Sequence, residues 1–71
     1  MIIKSKLKYT FELKDLDIFI SNMNSLGYDT LSSLAKDLNV SKQYLSQIIN
    51  GKKSFGQEFF NKLYDYKLLR S

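Results

Sequence analysis

The polar side chains with the most informative spacing lie in the segment 41–53, which contains lysines, amides and hydroxyls but no acidic residue. Those expected to face outward from a helix, or to lie in the loop after it, are Lys42, Gln43, Tyr44, Ser46, Gln47, Asn50, Lys52 and Lys53. Glutamine can form two hydrogen bonds with the edge of adenine, lysine can donate to guanine, and serine can serve either base. Lysines in a loop can contact phosphates without reading sequence. This set suits the major groove of double-stranded DNA, and the alternative is an ordinary solvated helix face.

Other kinds of chemistry lack the residues that they need. The sequence contains no cysteine and no histidine, which excludes disulfides and thiolate metal sites and removes the commonest general base and zinc ligand. Asp15 and Asp17 are close in sequence but lie about 200° apart on a helix, so we expect both at the surface. We therefore predict a protein without enzyme activity, metal or cofactor, and the sequence indicates no small-molecule ligand.

The net charge of +4 is unevenly distributed along the chain. Residues 1–11 carry Lys4, Lys6 and Lys8 without an acid, residues 12–40 carry five acids and two lysines, and residues 41–57 again carry lysines alone. This distribution is expected if an N-terminal arm and one internal segment approach a polyanion. A solvated lysine face remains the alternative.

The length of 71 residues fits a single domain over 1–71, with a small core and a function on its surface. The apolar stretches are short and interrupted by charge, and the N-terminus has no continuous apolar segment that ends in small residues. We therefore expect a cytoplasmic protein without a membrane partner.

The N-terminal segment 1–10 and the residue after it alternate in character. The residues on one side are Ile3, Ser5, Leu7, Tyr9 and Phe11, and those on the other are Lys4, Lys6, Lys8 and Thr10. Period two predicts a strand with one buried face. A lone strand needs a partner, either the C-terminal segment 66–71 or the same strand of a second subunit. A disordered basic arm is the alternative, and its lysines could reach DNA.

Periodicity and capping residues predict two helices in the first half of the chain. The first covers about 11–24, between an N-cap at Thr10 and a stop near Gly27. Its inward residues are Leu13, Leu16, Phe19 (or Ile20) and Met23. The second is capped by Asp29 or Thr30, and its apolar stripe consists of Leu31, Leu34, Ala35 and Leu38.

Two more helices are predicted in the second half. The third covers 42–50, with Ser41 as its N-cap, and its inward residues are Leu45, Ile48 and Ile49. A fourth begins after Ser54, whose spacing from Gln57 is that of a capping box. Its apolar face consists of Phe59, Phe60, Leu63 and either Tyr66 or Lys67. Tyr44 could contact a phosphate or a base methyl group, or it could pack against the fourth helix.

The segment 30–53 meets the requirements of a helix-turn-helix. Two helices that cross at roughly 90 to 120 degrees need a small residue where their backbones approach, and Ala35 supplies it. Asn39 supplies the left-handed turn residue, Val40 supplies an apolar plug, and Leu45 and Ile48 face inward. The stretch 32–53, SSLAKDLNVSKQYLSQIINGKK, resembles the second and third helices and the following lysine-bearing loop of the lambda-repressor and Cro-type family of phage and bacterial regulators.

The sequence departs from that family at two positions. Asn39 stands where the family usually has glycine, and Leu31 stands where many members have a glutamine that contacts phosphate. The resemblance implies an all-α, four-helix lambda-repressor-like domain, with or without a short N-terminal β-strand, whose third helix enters the major groove.

The implied function is sequence-specific binding of double-stranded DNA as a transcriptional repressor or other regulator of phage, plasmid or bacterial origin. A single small module makes limited contact with DNA, so we expect a homodimer. The alternative is a protein-binding module of the same fold, such as an antirepressor, an antitoxin or an adaptor.

Overall fold

Two short strands precede four helices in the computed structural model, which describes residues 2–5 and 8–70. The elements are β1 (Ile3–Ser5), β2 (Lys8–Thr10), α1 (Leu13–Ser25), α2 (Leu31–Asp37), α3 (Lys42–Ile49) and α4 (Gln57–Asp65). The predicted four-helix class is confirmed, with a small sheet added at the N-terminus. No helix in the described part of the chain has both the length and the apolar character to span a membrane.

The N-terminal segment folds back on itself as a β-hairpin. β1 and β2 pair in the antiparallel sense, with Lys4 opposite Tyr9 and Ser5 opposite Lys8. The prediction of one continuous strand is therefore wrong, because the segment supplies its own partner. Opposite residues share a face of the sheet, so Lys4 lies on the same face as Tyr9. The prediction that apolar and basic residues occupy opposite faces is therefore wrong. The predicted positions of Lys6 and Leu7 lie outside the described residues.

The edge of β2 that faces away from β1 forms main-chain hydrogen bonds with the loop between α3 and α4. The Tyr9 N–H donates to the Phe55 carbonyl at 2.8 Å, and the Phe55 N–H donates to the Tyr9 carbonyl at 2.9 Å. Tyr9, Phe11 and Phe55 are all buried. The sheet partner predicted in the segment 66–71 is thus replaced by Phe55, because burial of these aromatic rings draws β2 toward the loop.

α1 begins two residues later than predicted. Glu12, rather than Thr10, is its N-cap, and the Glu12 N–H donates to Asp15 Oδ2 at 2.9 Å. Asp15 is 6% exposed, so its prediction as a surface residue is wrong, whereas Asp17 is exposed as predicted. The buried stripe of α1 consists of Asp15, Phe19 and Met23. Leu13 lies about 200° from Asp15 on the helix and is 82% exposed, so its predicted inward position is also wrong.

α4 begins at Gln57 with Gly56 as its N-cap, and no side chain caps it. The predicted capping box of Ser54 and Gln57 is therefore wrong. The Gln57 side chain instead accepts from the Tyr9 hydroxyl at 2.6 Å.

The C-terminal end of α4 also differs from its prediction. Both candidates for its last inward position, Tyr66 and Lys67, are exposed. The chain turns at Lys67, where φ is +63, and the buried residue after that turn is Leu68.

One apolar cluster contains residues from the hairpin and from all four helices. Its fully buried large side chains are Phe19, Leu34, Leu38, Leu45, Ile48, Phe55, Leu63 and Leu68. Aromatic rings join β2 to α4: Tyr9 stacks on Phe60 with 4.3 Å between ring centroids. Phe55 meets Phe59 edge-on at 5.7 Å. Such pairs contribute about 0.5–1.5 kcal/mol each beyond area burial, so the hairpin is packed firmly against α4.

Candidate nucleic-acid interface

α2 begins with a side-chain cap and an apolar residue. The Ser33 N–H donates to Thr30 Oγ1 at 3.1 Å, which identifies Thr30, one of the two predicted candidates, as the N-cap. Leu31 follows it and packs partly against the core. The first residue of α2 therefore offers no polar side chain to a phosphate.

The turn between α2 and α3 is held by main-chain hydrogen bonds. Asn39 has φ +61, which confirms its predicted left-handed conformation. The Val40 N–H donates to the Ala35 carbonyl at 3.0 Å, the bond that closes a Schellman-type helix end. Ala35 is buried and Val40 packs against the core from its edge. The small residue, the turn residue and the plug thus occupy the places that a helix-turn-helix requires.

Lys62 of α4 and Tyr66, the C-cap residue of α4, donate hydrogen bonds to the C-terminal end of α2. Lys62 Nζ donates to the Leu38 carbonyl at 2.9 Å, and the Tyr66 hydroxyl donates to the Asp37 carbonyl at 3.0 Å. These groups satisfy carbonyls that a helix leaves without an intrahelical partner. The sequence analysis did not assign this role, although the spacing of four residues between Lys62 and Tyr66 places them on one face of α4.

The Asp37 side chain links the loop before α2 to the C-terminal end of α2. It accepts from the Tyr28 hydroxyl at 2.7 Å. This hydrogen bond is the main cause that raises the pKa of Tyr28 above its ordinary value of 10.0, with burial and the negative charge of Asp37 as smaller causes. The neutral tyrosine therefore stabilises this end of the helix-turn-helix.

α3 begins at a strong cap and divides into two faces. The Tyr44 N–H donates to Ser41 Oγ at 3.0 Å, which confirms Ser41 as the N-cap. Leu45, Ile48 and Ile49 are buried, as predicted. Because these inward residues fix the rotation of the helix, the identity of its outward side chains is fixed as well.

The outward face of α3 and the loop after it bring together six of the eight predicted site residues. Lys42 and Gln43 are exposed, whereas Ser46 and Gln47 are half-buried. One shallow surface depression is lined by Lys42, Gln43, Ser46, Gln47, Asn50 and Lys52. Asn50 is partly engaged within it, because its Nδ2 donates to the Ser46 carbonyl at 2.8 Å. Lys42 and Gln43 are thus the side chains freest to reach outward from the first turn.

Tyr44 and Lys53 lie beside this depression rather than in its lining. The Tyr44 ring meets Phe59 edge-on with 5.5 Å between centroids. Of the two interpretations left open for Tyr44, the structure shows packing against α4. Lys53 Nζ lies 5.1 Å from the centroid of the same ring, within the range of a cation–π contact. Lys53 is nevertheless exposed, and its ammonium group is accessible to an anion.

The loop after α3 is anchored through its main chain. Gly51 has φ +74, a conformation that favours glycine. The N–H groups of Lys52 and Lys53 both donate to the Gln47 carbonyl, at 2.9 and 3.2 Å. The two exposed ammonium groups are therefore carried by an ordered loop directly beyond the outward face of α3.

An acidic residue lies close to this basic surface. Glu58 is exposed in the first turn of α4. It lines a groove together with Ser41 and Tyr44 at the beginning of α3. A polyanion that approaches the beginning of α3 would thus meet one negative charge among the lysines.

The comparison with known families agrees with this geometry. Residues 29–63 match the family model described as helix-turn-helix, a segment that contains α2, the turn, α3 and most of α4. No curated protein and no solved structure matches the chain with statistical significance. The basic hairpin lies outside the matched segment. The segment 29–63 is therefore a helix-turn-helix of the lambda-repressor and Cro type, a type found in DNA-binding regulators.

Proposed function

We propose that this protein binds double-stranded DNA sequence-specifically through α3 and acts as a transcriptional repressor. In this proposal the chain 1–71 is one DNA-binding domain, and the segment 30–53 is its reading unit. A phage, plasmid or bacterial origin is proposed on the resemblance of that unit to the regulators of such genomes.

The observation that carries the proposal is the division of α3 into a buried and an outward face. Leu45 and Ile48 are fully buried, so the helix is held rigidly by the core. Its outward face presents Lys42, Gln43 and Gln47 without an acid. A helix of this kind can place amide and ammonium groups against base edges in the major groove.

Lys52 and Lys53 are proposed to contact phosphates. Their main chain is fixed by the Gln47 carbonyl, so both lysines extend from a defined place at the end of α3. Phosphate contacts position a protein on the duplex without reading its sequence. Gln43 and Gln47 would then supply the base preference, with Ser46, Asn50 and Lys42 beside them and Tyr44 at the edge.

We further propose that the protein binds its operator as a homodimer. The eight residues of α3 span about 12 Å, which limits one copy to a few base pairs. Two copies on a two-fold-related site would double the number of bases that are read.

The experiment is a selection from randomised duplexes with the purified protein, followed by salt titration of the enriched duplex. The proposal predicts an enriched motif with two-fold symmetry and an affinity that falls steeply with salt, because several lysines displace counterions. Sedimentation with and without the duplex would show whether two copies bind. Equal, weak affinity for all duplexes at physiological salt would contradict the proposal and favour a protein-binding module, such as an antirepressor, antitoxin or adaptor.

A further inference from the structure

We infer that the N-terminal β-hairpin is a second DNA-contacting element, which holds the phosphate backbone next to the bases read by α3. This inference rests on the proposed function. It adds a surface that the helix-turn-helix match over residues 29–63 does not contain.

The placement of β2 is the first argument. Tyr9 and Phe55 form an antiparallel bridge, and residues that flank such a bridge come opposite each other. Lys8 is therefore next to Gly56, the N-cap of α4. Successive residues of a strand point to opposite faces, so Lys8 lies on the face away from the buried Tyr9.

The position of Gly56 is the second argument. One groove is lined by residues from the beginnings of α3 and α4: Val40, Ser41, Tyr44, Gly56, Gln57, Glu58 and Phe59, with Lys62 beside them. The beginning of the reading helix is the end that contacts base edges in a helix-turn-helix. Lys8 thus lies on the side of the molecule that faces DNA in the proposed function.

The anchoring of β2 is the third argument. The Tyr9 hydroxyl donates to Gln57 Oε1 at 2.6 Å, and the Tyr9 ring stacks on Phe60. A Cβ built at Gly51 would lie 2.8 Å from the Phe11 carbonyl oxygen, so the chain after β2 also touches the loop after α3. β2 and the chain after it are thus anchored, so a contact through Lys8 would have to order little beyond its side chain, which reduces the entropic cost.

The positive charge of the hairpin also indicates DNA as its partner. Lys4 and Lys8 are exposed, and no acid occurs in residues 1–11. The adjoining helices also carry acidic side chains: Glu12, the N-cap of α1, with Asp15 and Asp17 in that helix, and Glu58 and Asp65 in α4. Asp15 is buried and bonds to the Glu12 N–H. A basic hairpin next to the loop that carries Lys52 and Lys53 continues the positive surface and complements a phosphate backbone.

The test compares two single-charge variants of the full chain on the duplex enriched by selection. Lys8→Gln removes a proposed phosphate contact. Lys67→Gln removes the same charge beyond the far end of α4, whose nine residues span about 13 Å, a length that exceeds the Debye length at physiological salt. Lys8→Arg retains the charge. A deletion is unsuitable because one that reached Tyr9 would remove a core residue.

For Lys8→Gln we expect a salt slope lower by about 0.9 and an affinity about three- to ten-fold lower near 0.1 M salt, on selected and random duplexes alike. Lys67→Gln and Lys8→Arg should retain the wild-type slope, and all three variants should melt like the wild type. Base preference should be unchanged in Lys8→Gln, because a phosphate contact carries no sequence information.

Two outcomes separate the failure of this inference from the failure of the proposed function. If the wild type selects a motif but Lys8→Gln has the same salt slope as Lys67→Gln, the hairpin contact is refuted and the reading by α3 stands. If the wild type selects no motif and shows no salt-dependent duplex binding, both are refuted. In an ethylation-interference experiment, ethylation of the phosphates beside the selected bases should weaken binding of the wild type, Lys67→Gln and Lys8→Arg. The same ethylation should not weaken binding of Lys8→Gln.

Discussion

Gly51→Ala should destabilise the fold more than Gly27→Ala, and the difference measures the contact between the loop after α3 and the chain after β2. Both glycines have positive φ, +74 and +91. A left-handed conformation costs an ordinary residue roughly 1–2 kcal/mol. At Gly27 a new Cβ would meet no atom within 4 Å, but at Gly51 it would lie 2.8 Å from the Phe11 carbonyl oxygen.

The close approach at Gly51 adds a steric term to the conformational one. Relieving a backbone clash inside a packed region costs about 1–3 kcal/mol. We therefore expect a loss of about 1–2 kcal/mol for Gly27→Ala and about 2–5 kcal/mol for Gly51→Ala. A domain of this size has roughly 4–11 kcal/mol of stability, so Gly51→Ala should lose a much larger share of the stability than Gly27→Ala.

The assay is urea denaturation followed by far-ultraviolet circular dichroism, with the free energy of unfolding obtained by linear extrapolation. The slope of the free energy of unfolding against urea concentration must stay at its wild-type value in both variants. The loss of stability can then be assigned to the native state. Equal losses for the two variants would refute the reasoning, because they would show that Phe11 does not pack against Gly51.

Three further predictions concern the helix-turn-helix itself. Ala35→Trp should severely destabilise or unfold the protein, because a buried methyl group between α2 and α3 leaves no room for an indole; a wild-type melting temperature would contradict this. Ser41→Ala should lower the free energy of unfolding by about 0.5–2 kcal/mol, since it removes the side-chain cap of α3; an unchanged urea midpoint would show that the cap is dispensable. The stabilisation from Tyr28 should be complete below pH 10.0 and lost as the pH rises through the raised pKa of its hydroxyl, because the folded chain holds that proton more tightly. Tyr28→Phe should therefore lack this part of the alkaline loss of stability, and alkaline melting profiles of the same shape for variant and wild type would rule the effect out.

The helix-turn-helix could be predicted from sequence because each of its requirements is local. Asn39 and Ser41 act on their immediate neighbours in the chain, and Ala35, Leu45 and Ile48 follow helical spacing. The same local rules located the inward face of α3, which in turn defined its outward face.

The N-terminal hairpin could not be predicted because its determinants are distant in sequence. Period-two alternation fitted one long strand as well as two short ones, and register decides which residues share a face. Tyr9 is fixed by Phe55, Gln57 and Phe60, contacts that no spacing within residues 1–11 reveals.

The beginnings of α1 and α4 differ from their predictions because the predicted capping residues do not cap them. Glu12 caps α1 in place of Thr10, because Asp15 lies three residues after it and bonds to its N–H. Ser54 does not cap α4, since the Tyr9 hydroxyl engages the Gln57 side chain. The first outcome follows from a local capping interaction, and the second from a contact with the hairpin that is distant in sequence.

The central claim, that α3 reads base sequence, is tested most directly by comparing Gln43→Ala with Lys53→Ala in a competition assay against duplexes that vary one base pair at a time. Gln43 is exposed in the first turn of α3, so its removal should cost about 1–3 kcal/mol on the preferred duplex and relax discrimination at one position. Lys53→Ala should weaken preferred and random duplexes alike and lower the salt slope by about one. Both variants must first show the wild-type circular dichroism spectrum and melting curve. An unchanged base preference in Gln43→Ala would contradict the reading of sequence by this face of α3.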